Sequence, residues 1–467
     1  MKIILFLLFA VIFVVTLPSC KKDSFITSKS ASLSISSDTL FFDTVFTTTG
    51  SITGYFKIFN TNNQKLLLSN VKLMGGNSSY FKLNLDGTSG TSFSNIEIAA
   101  NDSLYGFVTV SINPNDSLKP FVERDSIQIS YNGNIFYMQL AAYGQNAYFL
   151  KNTKITKDTT WNNKLPIVIL GGVTVNSGAK LTIQKGTKIY VNANAPIIVN
   201  GTLQALGDTT LGRINFLSDR LDVPYNSYPG AWPGIYFNDS SINNILEYCT
   251  ISNGYEGVSV LSPSINGKPK LILNQCILNN IYDVAIGGNN STIAATNCLI
   301  SNCGNNVSLT GGGTYSFDQC TIVSYDNIYI SHKNGVFSAS NSDSYGITNP
   351  LNCTVNNSIL YGYSGLVDNE VVLSKSTSAT FNVSFNNVFY KVKKAINPPA
   401  TVNNFCRTTF EPAFDSVNNG TNYYNFKLSA TSPCLKAGGT SQVLIDMEGH
   451  SRPTNTPPDL GCYQRKD

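Results

Sequence analysis

From Leu246 to Ser324 the chain repeats one short order of apolar and polar positions. It reads Leu246-Glu-Tyr-Cys249-Thr-Ile251-Ser-Asn253, then Leu273-Asn-Gln-Cys276-Ile-Leu278-Asn-Asn280, then Ala295-Thr-Asn-Cys298-Leu-Ile300-Ser-Asn302, then Phe317-Asp-Gln-Cys320-Thr-Ile322-Val-Ser324. The steps Cys276 to Cys298 and Cys298 to Cys320 are each 22 residues, a length that suits one coil of a parallel β-solenoid. Side chains alternate across a strand, so Cys and the apolar residue two places on face the same way, into the cylinder. The expected interior therefore holds one column of Cys249, Cys276, Cys298 and Cys320 and another of Ile251, Leu278, Ile300 and Ile322. Asn253, Asn280 and Asn302 should form a ladder at a turn, amide bonded to amide from coil to coil. The register continues in Val355-Asn-Asn-Ser358-Ile-Leu360 and Phe385-Asn-Asn-Val388-Phe-Tyr390, where Ser358 and Val388 take the Cys place.

Upstream the pattern changes to period two. Strand-like runs are expected at 39–46, 53–59, 66–73, 93–98, 104–110, 126–131 and 135–141, with turn residues between them. The last two runs are joined by Asn132-Gly133-Asn134, a tight hairpin signal. Short strands at this density predict an immunoglobulin-like sandwich.

Two resemblances sharpen this picture. The order apolar, Asn, Cys, Asn resembles the right-handed parallel β-helix repeat of the pectin-lyase-like superfamily over roughly the last two thirds of the chain, and it implies a fold rather than an activity. The stretch from Val173 to Val191, with Ile214-Asn-Phe-Leu-Ser and Trp232-Pro-Gly234-Ile235, resembles the opening coils of secreted β-helix proteins. The end, with Ser432-Pro-Cys434, Asp446-Met-Glu448-Gly449-His450-Ser-Arg452-Pro453 and Pro458-Asp459-Leu460-Gly461-Cys462-Tyr463, resembles the closing motif of the same exported proteins. It is expected to cap the open solenoid end, whose strand edges would otherwise be unpaired. The segments Phe42-Asp43-Thr44-Val45, Ile58-Phe59-Asn60, Ile98-Ala-Ala-Asn101-Asp102 and Val110-Ser-Ile-Asn113-Pro114 resemble Ig-like domains of the sperm-protein and cilia-associated type. That likeness implies adhesion or spacing and no catalytic residue. The expected class is all-β: an N-terminal Ig-like β-sandwich over 32–146, then a right-handed parallel β-helix with a C-terminal cap over 147–467.

The start of the chain bears on its compartment. Lys2 and the apolar run Ile3 to Val15 have the layout of a signal peptide, expected over 1–19 and followed by a tether over 20–31. Leu17-Pro18-Ser19-Cys20 resembles a bacterial lipobox, which implies a lipid on Cys20 and a membrane as partner; an ordinary secretory signal is the competing reading. The charged run Lys21-Lys22-Asp23 resembles surface-export signals, so an outer-membrane or cell-surface location is expected. Thiols of exported chains are normally oxidised, yet a stacked interior column accounts for four Cys as small hydrophobes. Cys434 and Cys462 are expected either to staple the closing motif as a disulfide or to serve as two more small core residues. Eight triplets of Asp, then Ser or Thr, then an aliphatic residue or Thr, from Asp38-Thr39-Leu40 to Asp415-Ser416-Val417, resemble O-glycosylation acceptors of one group of Gram-negative bacteria. Turn ends followed by strand starts would generate the same triplets.

Charged residues are 13% of the chain and the net charge is +4, too little to point to nucleic acid. The insertion Asp219 to Ala231 carries Tyr225 and Tyr228, with Trp232 beside it. Loops on one face of a solenoid suit ligands, and aromatic rings suit the apolar faces of sugars; packing of the loop on its coil is the alternative. Lyases of this fold need a base beside a uronate, and hydrolases need paired carboxylates facing one cleft. Neither set stands out, and the basic candidates are His332 and Lys333, near Tyr325 and Tyr329, with Arg407 further on; a solvated turn explains the first two equally well. Asp446, Glu448 and Asp459 are candidates for calcium, or for salt bridges to Arg452. No other cofactor is expected. The functional expectation is a surface lipoprotein whose β-helix binds glycan or protein without catalysis, the alternative being a lyase or hydrolase of acidic polysaccharide.

Overall fold

Period-two alternation between residues 33 and 145 builds two five-stranded sheets. The first runs Leu33–Ile35, Gly54–Asn60, Ser103–Val110, Phe81–Leu85, Thr88–Gly90, and the second Thr39–Phe46, Asn134–Gln145, Phe121–Tyr131, Leu66–Leu73, Ser92–Ile98. Neighbours are antiparallel except Thr39–Phe46, which lies parallel to Asn134–Gln145. Phe56, Ile58 and Val108 of the first sheet share one core with Leu68, Val71, Ile129 and Leu140 of the second, which makes the unit a sandwich. Asn132 and Gly133 both take left-handed angles (φ 44° and 77°), the type I′ hairpin that an Asn-Gly pair favours.

This computed structural model describes residues 24–115, 117–209, 212–363, 366–376, 379–393, 401–403, 406–407 and 410–466. Cys20 and the leader before it lie outside the described residues, and Arg407 is described by its backbone alone. The chain divides into two compact units, Met1–Asn146 and Ala147–Asp467.

In the second unit the strands recur in threes, and from Lys180 on nearly every strand pairs in parallel with its counterpart one coil away. Val258–Leu261, Leu271–Asn274 and Ile277–Asn279 form one coil and represent its three faces. This is a parallel β-helix, whose inward apolar residues make one continuous core. On the third face, Thr250 pairs with Ile277, Ile277 with Leu299, Leu299 with Thr321 and Thr321 with Ile359. That register sets Cys249, Cys276, Cys298, Cys320 and Ser358 in one column. The four thiols are fully buried and not disulfide-bonded, and each donates to a backbone carbonyl, as Cys276 Sγ does to Leu246 O at 3.1 Å. Burial pushes the Cys249 and Cys298 thiols well up, which keeps them protonated and unreactive.

The recurring Asn has a conformational cause. Asn253, Asn280 and Asn302 follow the third-face strands with φ of 63°, 55° and 55°, and Tyr248, Gln275, Asn297, Gln319, Asn357 and Asn387 precede them with φ of 46–54°. Left-handed backbone costs most residues about 1 kcal/mol or more, and Asn tolerates it best after Gly. The expected amide ladder is partial. Asn280 Nδ2 donates to Asn253 Oδ1 at 2.8 Å, whereas Asn302 Oδ1 accepts the Tyr325 N–H at 2.9 Å.

The closing segment covers the flank of the third face. Strands Thr321–Tyr325 and Ile359–Tyr363 are buried on both sides, so their outward residues need apolar partners. Phe426, Leu428, Cys434, Met447, Leu460 and Cys462 supply them, packing on Leu299, Val323, Tyr325, Ile359, Tyr361 and Phe389. The staple expected between Cys434 and Cys462 is not formed: both are wholly buried thiols that fill this second core as small hydrophobes.

Candidate functional site: a tyrosine-lined corner

The bends between the third face of one coil and the first face of the next stack at one corner. The insertion, Asp219 to Ala231, lies on the bend below it: Ala231 N–H donates to Asn253 O at 2.8 Å and Gly230 N–H to Gly254 O at 3.1 Å. That bend supports the following one, through Tyr282 N–H to Gly254 O at 2.9 Å and Asp283 N–H to Tyr255 O at 2.8 Å. The turn amides complete the fixation, Asn253 Nδ2 donating to Asn226 O at 2.7 Å and Asn280 Nδ2 to Ser227 O at 2.8 Å.

Five tyrosines gather on this scaffold. Tyr228 stands between Tyr225 and Tyr329, with ring centroids at 5.1 and 5.2 Å. Tyr255 and Tyr282 stack on successive bends, 5.5 Å apart and inclined by 28°. Gly230 joins the two groups, since a Cβ there would sit 3.4 Å from Tyr282 Cβ. Tyr225, Tyr228, Tyr255 and Tyr282 are 45%, 38%, 45% and 55% exposed, enough to offer ring surface to a ligand.

Each stacked ring is followed by an acid, Glu256 and Asp283. Burial, reinforced by the charge of Asp283, raises the Glu256 carboxyl above its ordinary range against a hydrogen bond from Ser259. Behind them, burial and then the charge of Glu256 push the Tyr236 hydroxyl to about 12, while it donates to Pro233 O at 2.9 Å. Arg220 lies over Tyr225 at 4.3 Å and is held by Asp222 through two bonds of 2.8 Å.

Tyr225 and Tyr228 thus stand on the exposed corner, but the other candidates fall elsewhere. Trp232 is fully buried, its Nε1 donating to Ser252 O at 2.8 Å, so it anchors the insertion and cannot meet a ligand. His332 and Lys333 part company, Lys333 being exposed and His332 only 2% so. The imidazole Nε2 is 3.0 Å from both oxygens of the buried Glu370 carboxylate, and Lys391 Nζ is 3.7 Å from that carboxylate and donates to Gly362 O at 2.7 Å. A Cβ on Gly362 would come within 2.1 Å of His332 Nε2, so only glycine leaves room for the contact. Neither a solvated turn nor an accessible base describes His332.

The acidic candidates are likewise committed. Asp446 is buried; its Oδ1 accepts the N–H groups of Glu448 and His450 and its Oδ2 that of Gln464. Asp459 accepts from Lys436 and Arg465 backbone, and Glu448 pairs with Lys427 at 2.8 Å. His450, not Asp459, completes the group of possible ligand atoms with Asp446 and Glu448. Arg452 forms no carboxylate bridge among the described residues; its guanidinium bonds Asn297 Oδ1 and Gly461 O at 2.9 Å. The cluster is a clamp on the closing segment.

Tyr255, Tyr282, Glu256 and Asp283 were absent from the sequence candidates although a signal existed. Tyr255-Glu256 and Tyr282-Asp283 are 27 residues apart, the same step as Cys249 to Cys276. Glu370 had no such signal, lying 38 residues from His332.

No family model and no curated protein matches this chain. Solved structures similar to parts of it include a family 123 glycoside hydrolase from Clostridium perfringens, described in connection with glycolipid glycan hydrolysis (11% identity, TM-score 0.19, 27% of this chain and 31% of that one). Others are the ASH/PapD-like domain 7 of human CEP192 (10%, 0.18, 28% and 92%) and a protein of unknown function from Porphyromonas gingivalis W83 (11%, 0.18, 27% and 59%). The chain therefore spans about a third of the hydrolase, and these similarities are too slight to bear on function.

Proposed function

We propose that the tyrosine-lined corner binds a glycan, and that the protein is an exported lipoprotein, anchored through Cys20, which presents this surface outside the cytoplasm. The observation that carries the binding reading is the stacked, half-exposed pair Tyr255 and Tyr282 beside Tyr225 and Tyr228. Sugar rings present C–H faces to such platforms and hydroxyls to flanking carboxylates and amides, here Glu256, Asp283 and Asn226. At about 1 kcal/mol per ring, four rings support a dissociation constant on the order of 1 mM for one short oligosaccharide. Binding without turnover is the better-supported reading. Uronate lysis needs an accessible base and a cation, whereas His332 is buried, Arg220 is held by Asp222 and the stacked rings are flanked by acids.

The test is calorimetry of the secreted chain against hexasaccharides of neutral, N-acetylated and uronate type, with Tyr255→Ala/Tyr282→Ala as the comparison. Loss of binding in the double variant, with unchanged circular dichroism, supports the reading. Equal binding by both proteins, or none by either, ends it. The anchor is tested separately by mass spectrometry of the N-terminal peptide from the native host, where an unmodified Cys20 would refute it.

A further inference from the structure

The sandwich carries a surface of a different chemistry. On the outward side of its first sheet, Tyr55 pairs with Phe107 and Phe107 with Asn84, which pairs in turn with Ser89, so four strands contribute to one transverse row. The adjoining rows pair Lys57 with Tyr105 and Thr109 with Lys82. Tyr105 and Phe107 lie parallel, 5.9 Å apart and inclined by 9°, and the Lys57 ammonium sits 4.4 Å from the Tyr105 centroid. Tyr55, Tyr105 and Phe107 are 60%, 40% and 38% exposed. Beside Phe107 is a hollow of about 660 Å³ edged by Thr53, Lys82, Asn84, Ser89 and Thr109.

The strands of this face carry only positive charge, although Asp86 adjoins Tyr105, its N–H donating to Tyr105 O at 3.1 Å. The five strands of the sheet contain Lys57 and Lys82 and no Asp or Glu; Asp86 and Asp102 stand in the flanking turns. Neither lysine forms an ion pair among the described residues. Two cations flanking flat rings, with hydroxyl and amide groups around a shallow hollow, match one ligand chemistry. C–H faces would stack on the rings, hydroxyls would meet Thr53, Thr109, Ser89 and Asn84, and separate anionic groups along one chain would meet Lys57 on one side of the Phe107 row and Lys82 on the other. A protein partner would call for a wider apolar centre than three rings. We infer that this sheet face binds an anionic glycan, making the sandwich a second binding module and not only a spacer.

The test uses the full chain and three probes: a galacturonate hexamer, a heparin-derived hexasaccharide and cellohexaose as the neutral control. Carboxylate and sulfate arms separate the two sources of negative charge, and affinity is measured at low and high salt. The expected result is binding of at least one anionic probe that weakens with salt, falls about threefold in Lys57→Gln and in Lys82→Gln, and falls about tenfold in Tyr105→Ala/Phe107→Ala. Tyr255→Ala/Tyr282→Ala should leave this binding intact, which separates it from the corner. In the Tyr255→Ala/Tyr282→Ala background, where the corner cannot contribute, the inference is overturned if cellohexaose binds as well as the anionic probes, if neither anionic probe binds, or if Lys188→Gln in the β-helix weakens binding as much as Lys57→Gln does. All of these substitutions replace exposed or half-exposed side chains, so folding should survive them.

Discussion

Glu370→Ala tests the reading of His332 most directly. Glu370 is fully buried and its carboxylate serves three groups: the His332 imidazole at 3.0 Å, the Val336 N–H at 3.3 Å and the Lys391 ammonium at 3.7 Å. Removing it takes the Glu370 acceptor away from the buried Val336 N–H and the buried His332 Nε2, while Lys391, 16% exposed, keeps Gly362 O and can turn toward water. Breaking a buried ion pair costs about 3–5 kcal/mol, and the partial escape of Lys391 places the expectation near the lower end. Glu370→Gln keeps one acceptor oxygen and the shape, so about 1–2 kcal/mol is expected. Coils of a solenoid contact mainly their neighbours, so the loss should be local. Hydrogen exchange should accelerate in Phe337–Ser340 and Val371–Ser374, which pair with each other, and stay unchanged in Ile235–Phe237. Urea unfolding followed by circular dichroism gives the magnitude. A change below about 1 kcal/mol in Glu370→Ala, with uniform exchange, would falsify the structural assignment of this triad.

Three further outcomes are expected. Cys298→Arg should destabilise by about 3 kcal/mol or more, since a charge would enter the thiol column without a partner; a soluble variant with the parent's melting temperature would contradict the stacking. Native protein should leave all four column thiols unlabelled by a maleimide and denatured protein should label each, so protection by a disulfide would appear as missing label after denaturation without reductant. Arg452→Ala strips donors from Asn297 Oδ1 and Gly461 O, at a cost of about 2–4 kcal/mol, and limited proteolysis should then cut the closing segment first.

The interior of the β-helix was legible because the chain states it repeatedly. Cys249, Cys276, Cys298 and Cys320 mark one register, and the structure stacks them as expected. The sandwich was legible from alternation, although the strand Phe81–Leu85 was passed over; its order Phe-Lys-Leu-Asn-Leu alternates perfectly well but is short, and its neighbour Thr88–Gly90 is shorter. Contacts set by tertiary placement were another matter. Nothing local joins Arg452 to Asn297, 155 residues away, so its carboxylate-rich surroundings suggested the wrong partners. The flank cover is not legible in sequence because apolar outward residues such as Val323 and Ile359 look there like any buried strand.

The corner follows from the same repetition. A solenoid returns each position once per coil at the β-spacing, so a side chain that recurs at one bend forms an array whose pitch is set by the backbone and not by rotamer choice. Tyr255 and Tyr282 obey this, their ring separation of 5.5 Å being little more than the distance between paired strands. An enclosed pocket would select a compact ligand, whereas a ladder on an open edge rewards one that is itself linear and repeating, each unit meeting an equivalent ring. The insertion extends the ladder sideways through Tyr225 and Tyr228, and Trp232, buried beneath it, holds that extension in register. On the proposed glycan reading, Trp232 would contribute without touching a ligand, by fixing where the exposed rings stand.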